Sequence, residues 1–248
     1  GAAIPTGAST PVVVGLLLLA LASIWFLNFG VSWNDWGGLL LNVFLAAFSI
    51  ALCFPIGVLL ALGRRSEFPI LRFLSTIYIE LFRGVPLLAL LLMANVALGF
   101  FIPQSLAPDK VVRAIVVFVL FTSAYVAEIV RGGLQSVPRG QIEAGRANGL
   151  SPIAITTRIV LPQAIRNVIP ALVGQFISLF KDTTLAGAAM GLTDLLSSAE
   201  ASTAQPEFRG QGLIAETLMF ALLIFWAGSY TMSQESQRLE TRLGVGER

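Results

Sequence analysis

The sequence predicts an all-α, polytopic membrane helix bundle of about six transmembrane helices, broken once by a polar helix–turn–helix. Three observations carry this. Of the 248 residues, 56% are hydrophobic and only 12% charged, with a mean hydropathy of +0.82; a soluble domain carries about a quarter charged residues. The apolar residues fall in runs long enough to cross a bilayer. The cations, all arginine except Lys110 and Lys181, collect near the ends of those runs. The chain has no histidine and one cysteine, Cys53. That excludes internal disulfides, imidazole metal sites, His-based triads and His proton relays, and it leaves no metal or catalytic residue to name. Cys53 lies inside an apolar run and reads as an inert packing residue.

Taken in order, Val12–Phe29 is near the lower length limit for a span. No basic segment precedes it and no small-x-small site comes after it, so a retained span is expected and not a signal peptide. With an external loop it forms a first unit over 1–38. Leu39–Leu62 is a second span, interrupted by Pro55 and Gly57, with Arg64 and Arg65 directly after it. Phe68–Ile79 mixes Arg72, Ser75 and Thr76 with large apolar residues, as a helix lying at the interface does. A third span is expected over Leu81–Ile102, kinked near Gly84 and Pro86, and a fourth over Val112–Val130. A polar insert comes next, within 134–164. Val168–Phe180 begins a fifth span, with Pro170 near its start, and Leu213–Met232 forms the sixth. These elements make a second unit over 39–233, and 234–248 is a polar tail.

Orientation is set by the arginines, because cytoplasmic loops carry the excess of positive charge. Arg64, Arg65, Arg72 and Arg83 flank one loop, Arg131, Arg139, Arg146, Arg158 and Arg166 the next, and Arg238, Arg242 and Arg248 lie in the tail. Alternating spans put all of these on one side and leave Lys110, Arg113 and Arg209 on the other, with Lys181 near its edge. Both termini and the insert are therefore expected in the cytoplasm, and the Ala186–Gly212 loop outside.

Within the insert, Glu143–Pro162 reads as two short helices and a turn. Gly149 suits the left-handed residue past a helix end. Ser151 then Pro152 reads as an N-cap and first helical position, and Pro162 is expected to end or kink the helix at that point. Glu143, Arg146 and Ser151 offer directional polar contacts, while Ala144, Gly145 and Gly149 would let a partner backbone come close. A rigid polar pair of helices outside the lipid is suited to being gripped by another protein. A short echo, Glu80-x-x-Arg83-Gly84 and Glu128-x-x-Arg131-Gly132, puts each Glu and Arg on one helical face. Two readings stay open: pairs snorkelling at the headgroups, or a clamp holding helix ends against the insert.

The pattern Glu143-Ala144-Gly145, Gly149 and Ile159-Val160-Leu161-Pro162 resembles the EAA signature of ABC importer permeases, with Gly145 in place of the second alanine. Tyr78–Pro86, Ala127–Gly133 and Phe180–Leu185 resemble the polar amino acid branch of that family. The resemblance implies a type I importer transmembrane domain in the bacterial inner membrane. It implies that the coupling segment, with Glu143, Ala144, Gly145, Arg146, Gly149, Ser151, Ile159, Leu161 and Pro162, seats in a cytoplasmic ATPase. Further implied partners are a second permease subunit, identical or homologous, a pair of ATPase subunits, an extracytoplasmic binding protein and an amino-acid substrate. The chain has no G-x-x-x-x-G-K-[ST] loop, so ATP and Mg are expected in the partner ATPase and no cofactor in this chain.

Ionisable residues within the bilayer default to functional hypotheses. Lys181 and Asp182 lie roughly 22 Å along the helix from Arg166, in the outer half of the fifth span. Adjacent residues do not face one another, so each is expected to have its own partner. The resemblance implies that this part of the helix lines the amino-acid site, where Lys181 and Asp182 complement a carboxylate and an ammonium. Gln175 lies two turns inward on the same face; related permeases for basic amino acids tend to carry Glu there, so Gln175 favours neutral or broad specificity. Glu216 could contact substrate but fits the outer interface better. Asn95, Thr122 and Ser123 read as polar groups that hold helices together. The rival class is an ion-gradient-driven secondary carrier, which usually shows inverted repeats and broken midplane helices.

Overall fold

The computed structural model describes residues 36–102, 107–208 and 210–244; the expected first span over 12–29 lies outside them. The named elements are all helical. They are α1 (Gly38–Arg64), α2 (Pro69–Gly84), α3 (Leu87–Val96), α4 (Leu98–Phe101), α5 (Lys110–Ser136), α6 (Arg139–Ala147), α7 (Pro152–Ile155), a π-helical turn (Thr156–Val160), α8 (Leu161–Asp182), α9 (Thr184–Met190), α10 (Leu195–Thr203) and α11 (Ile214–Leu243).

Three of these helices, α1, α5 and α11, are long and apolar enough to cross a membrane, and the bent pair α2–α3 makes a fourth when read as one broken span. About six spans were expected from the sequence. The difference among the described residues is α8. It has 22 residues, but Arg166, Asn167, Gln175, Lys181 and Asp182 make it more polar than the other three, and it packs on α5 and α11.

The core divides into two clusters. Leu41, Leu45, Leu91, Val111, Phe118, Leu179 and Met190 form the outer one. Cys53, Ala61, Ile79, Val126, Val130, Ile155, Ala164 and Leu172 form the inner one. The starts of α1 and α5 share the first cluster, while Arg64 at the end of α1 reaches Glu128 late in α5. These two helices therefore run parallel, as every second span of an alternating bundle must.

The third span bends where expected, near Gly84 and Pro86, but its helix boundaries differ from expectation. One continuous helix, α2, runs through Gly84, and the chain then bends by 96° into α3. Pro86 explains the position: it disfavours helix at the residue before it, and Val85 is extended (φ −104°, ψ 136°). The interface helix therefore ends at 84 and not at 79.

Unlike a surface helix of a soluble protein, α2 buries only Ser75 and Ile79. Phe68, Ile70, Phe73, Leu74, Ile77 and Leu81 point outward. Its inner side is held by polar links: the Tyr78 hydroxyl donates to the Leu120 carbonyl (2.9 Å) and shares a hydrogen bond with Ser123 (2.8 Å).

Two further segments are more helical than expected. The supposed external loop over 186–212 holds most of α9 and all of α10, and α10 packs on α11. The polar tail continues α11 as far as Leu243, where Gly244 turns left-handed (φ 61°). Side-chain pairs one turn apart extend it, with Ser236 donating to Glu240 (2.7 Å) and Arg238 paired with Glu235.

Candidate functional site

The polar insert is closed at both ends by local chemistry. At the end of α6, Leu150 N–H donates to Gly145 O (3.1 Å) and Gly149 N–H to Arg146 O (2.9 Å), the paired bonds of a Schellman motif. Gly149 takes the left-handed conformation (φ +74°) that this closure needs. Ser151 then caps α7, its hydroxyl accepting from Ala154 N–H (3.3 Å), with Pro152 at the first turn. The N-cap and turn are as the sequence suggests.

The second helix is not a separate piece. It passes through the π-helical turn directly into α8, where Leu161 N–H bonds to Thr156 O. Pro162 neither ends nor breaks the run. In a regular α-helix its ring would press on the carbonyl of Arg158; the wider π-turn just before it relieves that contact. Ile155 and Val160 are buried in the inner cluster, so the insert is seated on the bundle core.

Glu143, Ala144, Arg146, Gly149, Ser151 and Pro162 are exposed, as are Ile153 and Arg158. Gly145 is not open to a partner. It is buried, and a Cβ there would lie 3.0 Å from Ile155 Cγ1 and 3.3 Å from Ile159 Cδ1. Its missing side chain lets α6 close on the next helix of the same chain. Ile159 and Leu161 are half-buried and serve the same packing. Sequence reasoning missed Ile153, which is 76% exposed at the tip of the insert; its place beside Pro152, in the first turn after the cap, was the available signal.

The two E-x-x-R-G echoes meet. Arg64 bonds Glu128 (2.7 Å) and Glu80 (2.8 Å), Arg131 bonds Glu128 (2.9 Å), and Arg83 lies 3.7 Å from Glu128. The Arg83 guanidinium also sits 5.7 Å from the Tyr125 ring centroid. This cluster ties the ends of α1, α2 and α5 together. Among the described ion pairs none reaches the insert, so the clamp joins helix ends to one another.

Near the other end, Asp182 is half-buried and Lys181 exposed at the last turn of α8, with Gln175 half-buried below them. Neither Lys181 nor Asp182 has an ion-pair partner among the described residues, so the expected separate partners are not found. Glu216 is exposed in the first turn of α11, where a helix N-terminus favours negative charge. Asn95 does hold helices together, donating to Ala189 O (3.0 Å). A buried polar network was not foreseen: Asn42, Thr183 and Asp194 are all fully buried, and Asn42 joins the other two.

Over 230 residues the chain is 45% identical to the inner membrane amino-acid ABC transporter permease protein YhdY of Escherichia coli (strain K12), covering 90% of this chain and 62% of that protein. It is 40% identical over 210 residues to the glutamate/glutamine/aspartate/asparagine transport system permease protein BztC of Rhodobacter capsulatus, covering 85% of this chain and 48% of that protein. The chain thus spans between about half and two thirds of the length of these relatives. Its fold is similar to a chain in the crystal structure of an amino acid ABC transporter with histidines, with TM-score 0.73 and 27% identity over 90% of this chain and 97% of that chain. Residues 53–232 match the family described as binding-protein-dependent transport system inner membrane component. With most of the described bundle and the whole insert inside that match, the chain belongs to the family of binding-protein-dependent transport system inner membrane components.

Proposed function

We propose that this chain is the transmembrane permease subunit of an ATP-driven ABC importer for polar amino acids. It lies in the bacterial inner membrane with both termini and the insert in the cytoplasm. Its partners are a second permease subunit, two ATPase subunits and an extracytoplasmic amino-acid-binding protein. ATP and Mg belong to the ATPase. The observation that carries the reading is the continuity of the insert with α8: one unbroken run joins Ser151 at the exposed tip to Asp182 at the far end.

Physically, such a run transmits displacement. The Schellman closure and the Ser151 cap fix α6 against α7, and Ile155 and Val160 seat the pair on the inner core. A push on Glu143, Arg146 and Ile153 by a closing ATPase therefore moves α8 as a body, where a flexible loop would absorb the motion. Alternating access results if α8 shifts against α5 between its two positions. The amino-acid names of the relatives support the substrate class, and the neutral Gln175, two turns below half-buried Asp182, favours neutral or broad specificity over a strictly cationic substrate.

The test is uptake of labelled amino acids into vesicles holding this chain with and without its ATPase. Uptake that requires both the ATPase and ATP is the expected result. Accumulation by this chain alone, driven by an ion gradient, would replace the reading with that of a secondary carrier.

A further inference from the structure

The buried network at the α8–α9 junction has a geometry that a simple helix tie does not need. The Asn42 amide is used on every side: Nδ2 donates to Thr183 Oγ1 (2.9 Å) and to Asp194 Oδ2 (3.5 Å), and Oδ1 accepts from Leu195 N–H (2.9 Å). Asp194 also caps α10, its Oδ1 accepting from Ser197 N–H (3.0 Å). Thr183 stands between two helices, with its N–H bonded to Leu179 O (3.1 Å) and its hydroxyl donating to Phe180 O (2.7 Å). The backbone reinforces the join, since Gly38 N–H donates to Thr193 O (2.7 Å).

Nothing at this junction can yield easily. A Cβ at Gly187 would fall 2.2 Å from Asp194 Oδ1 and 2.3 Å from Ser197 Oγ, so α9 lies directly on the carboxylate. Removing the Asn42 amide would leave a buried carboxylate short of a donor and the Leu195 N–H without an acceptor. Thr183 comes immediately after Asp182. A bond that fixes Thr183 therefore fixes the rotation of the last turn of α8 about its axis, and with it the direction of the Lys181 and Asp182 side chains.

We propose that Asn42 is a positioning residue: through Thr183 and Asp194 it sets where the unpaired Lys181–Asp182 end of α8 presents its charges to substrate, and so tunes discrimination between acidic and amide amino acids. The proposal rests on the permease reading above. Asn42 does not touch the substrate; it acts through Asp182.

The experiment measures ATP-dependent uptake of labelled L-glutamine and L-glutamate by the full assembly with its binding protein. The readout is the ratio of the two rates, which is independent of how much transporter assembles. Asn42→Ala and Thr183→Val should each shift the ratio by about threefold or more, in the same direction as Asp182→Asn. In the Asp182→Asn background, Asn42→Ala should add less than about twofold, because coupled residues are not additive. Both rates falling in equal proportion, or an Asp182→Asn ratio equal to the parent's, overturns the proposal. So do shifts that multiply in the double variant. If Asn42→Ala does not assemble, Thr183→Val, which keeps the shape and removes the hydroxyl, decides on the same criteria. A parent assembly with no ATP-dependent uptake of either probe rejects the permease reading itself, whereas normal parent uptake with unshifted variants rejects only the positioning role.

Discussion

Gly145 offers the sharpest test of force transmission, because its site can be filled in two steps, first by one carbon and then by three. A methyl there would lie 3.0 Å from Ile155 Cγ1, 3.3 Å from Ile155 Cδ1 and 3.3 Å from Ile159 Cδ1. Alanine gains about 1 kcal/mol of helix propensity over glycine. It also crowds a packed contact, which costs about 1–3 kcal/mol, near the low end for one methyl against isoleucine ends that can shift. The two terms nearly cancel, so Gly145→Ala should transport within about twofold of the parent. Gly145→Val drives a branched side chain into the same gap with no propensity gain of that size, and a net cost of about 2–3 kcal/mol lifts α6 off the next helix. ATP hydrolysis should persist in this variant while substrate moved per ATP falls about tenfold. The assay is simultaneous measurement of phosphate release and uptake in vesicles. An unchanged ratio in Gly145→Val, with the variant fully assembled, would refute the argument that contact between α6 and the run into α8 carries the stroke.

Three other outcomes are expected. Glu143→Lys should abolish transport and weaken ATPase association while membrane insertion stays normal; co-purification and uptake measure the two effects separately, and a normal transport rate would remove Glu143 from the coupling surface. Asp182→Asn should lower uptake more than it lowers assembly, and equal losses in both would make Asp182 structural. Glu128→Gln leaves Arg64, Arg83 and Arg131 without their shared carboxylate, and the loss of a partly buried hub should cost about 2–4 kcal/mol. Its melting temperature in detergent should fall by several degrees, and a melt matching the parent's would mean that the cluster contributes little to stability.

The parts of the site legible in the sequence were those made by neighbours in the chain. Gly149, Ser151 and Pro152 act within a turn of where they stand, so their residue types announce the cap. The Glu80/Arg83 and Glu128/Arg131 spacings were visible in the sequence, but only Glu128 and Arg131 pair within their own helix; Glu80 pairs with Arg64 and Arg83 with Glu128, which depends on the register of three helices. The Asn42 network was hidden for the same reason. Its hydrogen bonds join residues 141 and 152 positions apart, and a lone asparagine in an apolar run does not name its partner. The π-turn was missed because proline at 162 reads locally as a stop; only the continuous packing of Ile155, Val160 and Ala164 on one core makes a wider turn preferable to an end. Gly145 likewise looked like a surface offered outward, since nothing nearby in the sequence shows that Ile155 and Ile159 fold back over it.

The inverted attachment of α2 changes what mutation there can do. Its outward residues pack on no other part of the described core, so exchanging Phe73 for leucine or Ile77 for valine should pass almost unnoticed. The inward side is unforgiving. Replacing Tyr78 with phenylalanine, a mild change in most cores, would remove the one hydroxyl that ties α2 to Leu120 and Ser123 of α5 and loosen the helix that supports the 96° corner. In this part of the protein the polar links of Tyr78 act beside one buried anchor, Ile79, and the remaining apolar residues set how deep the helix sits.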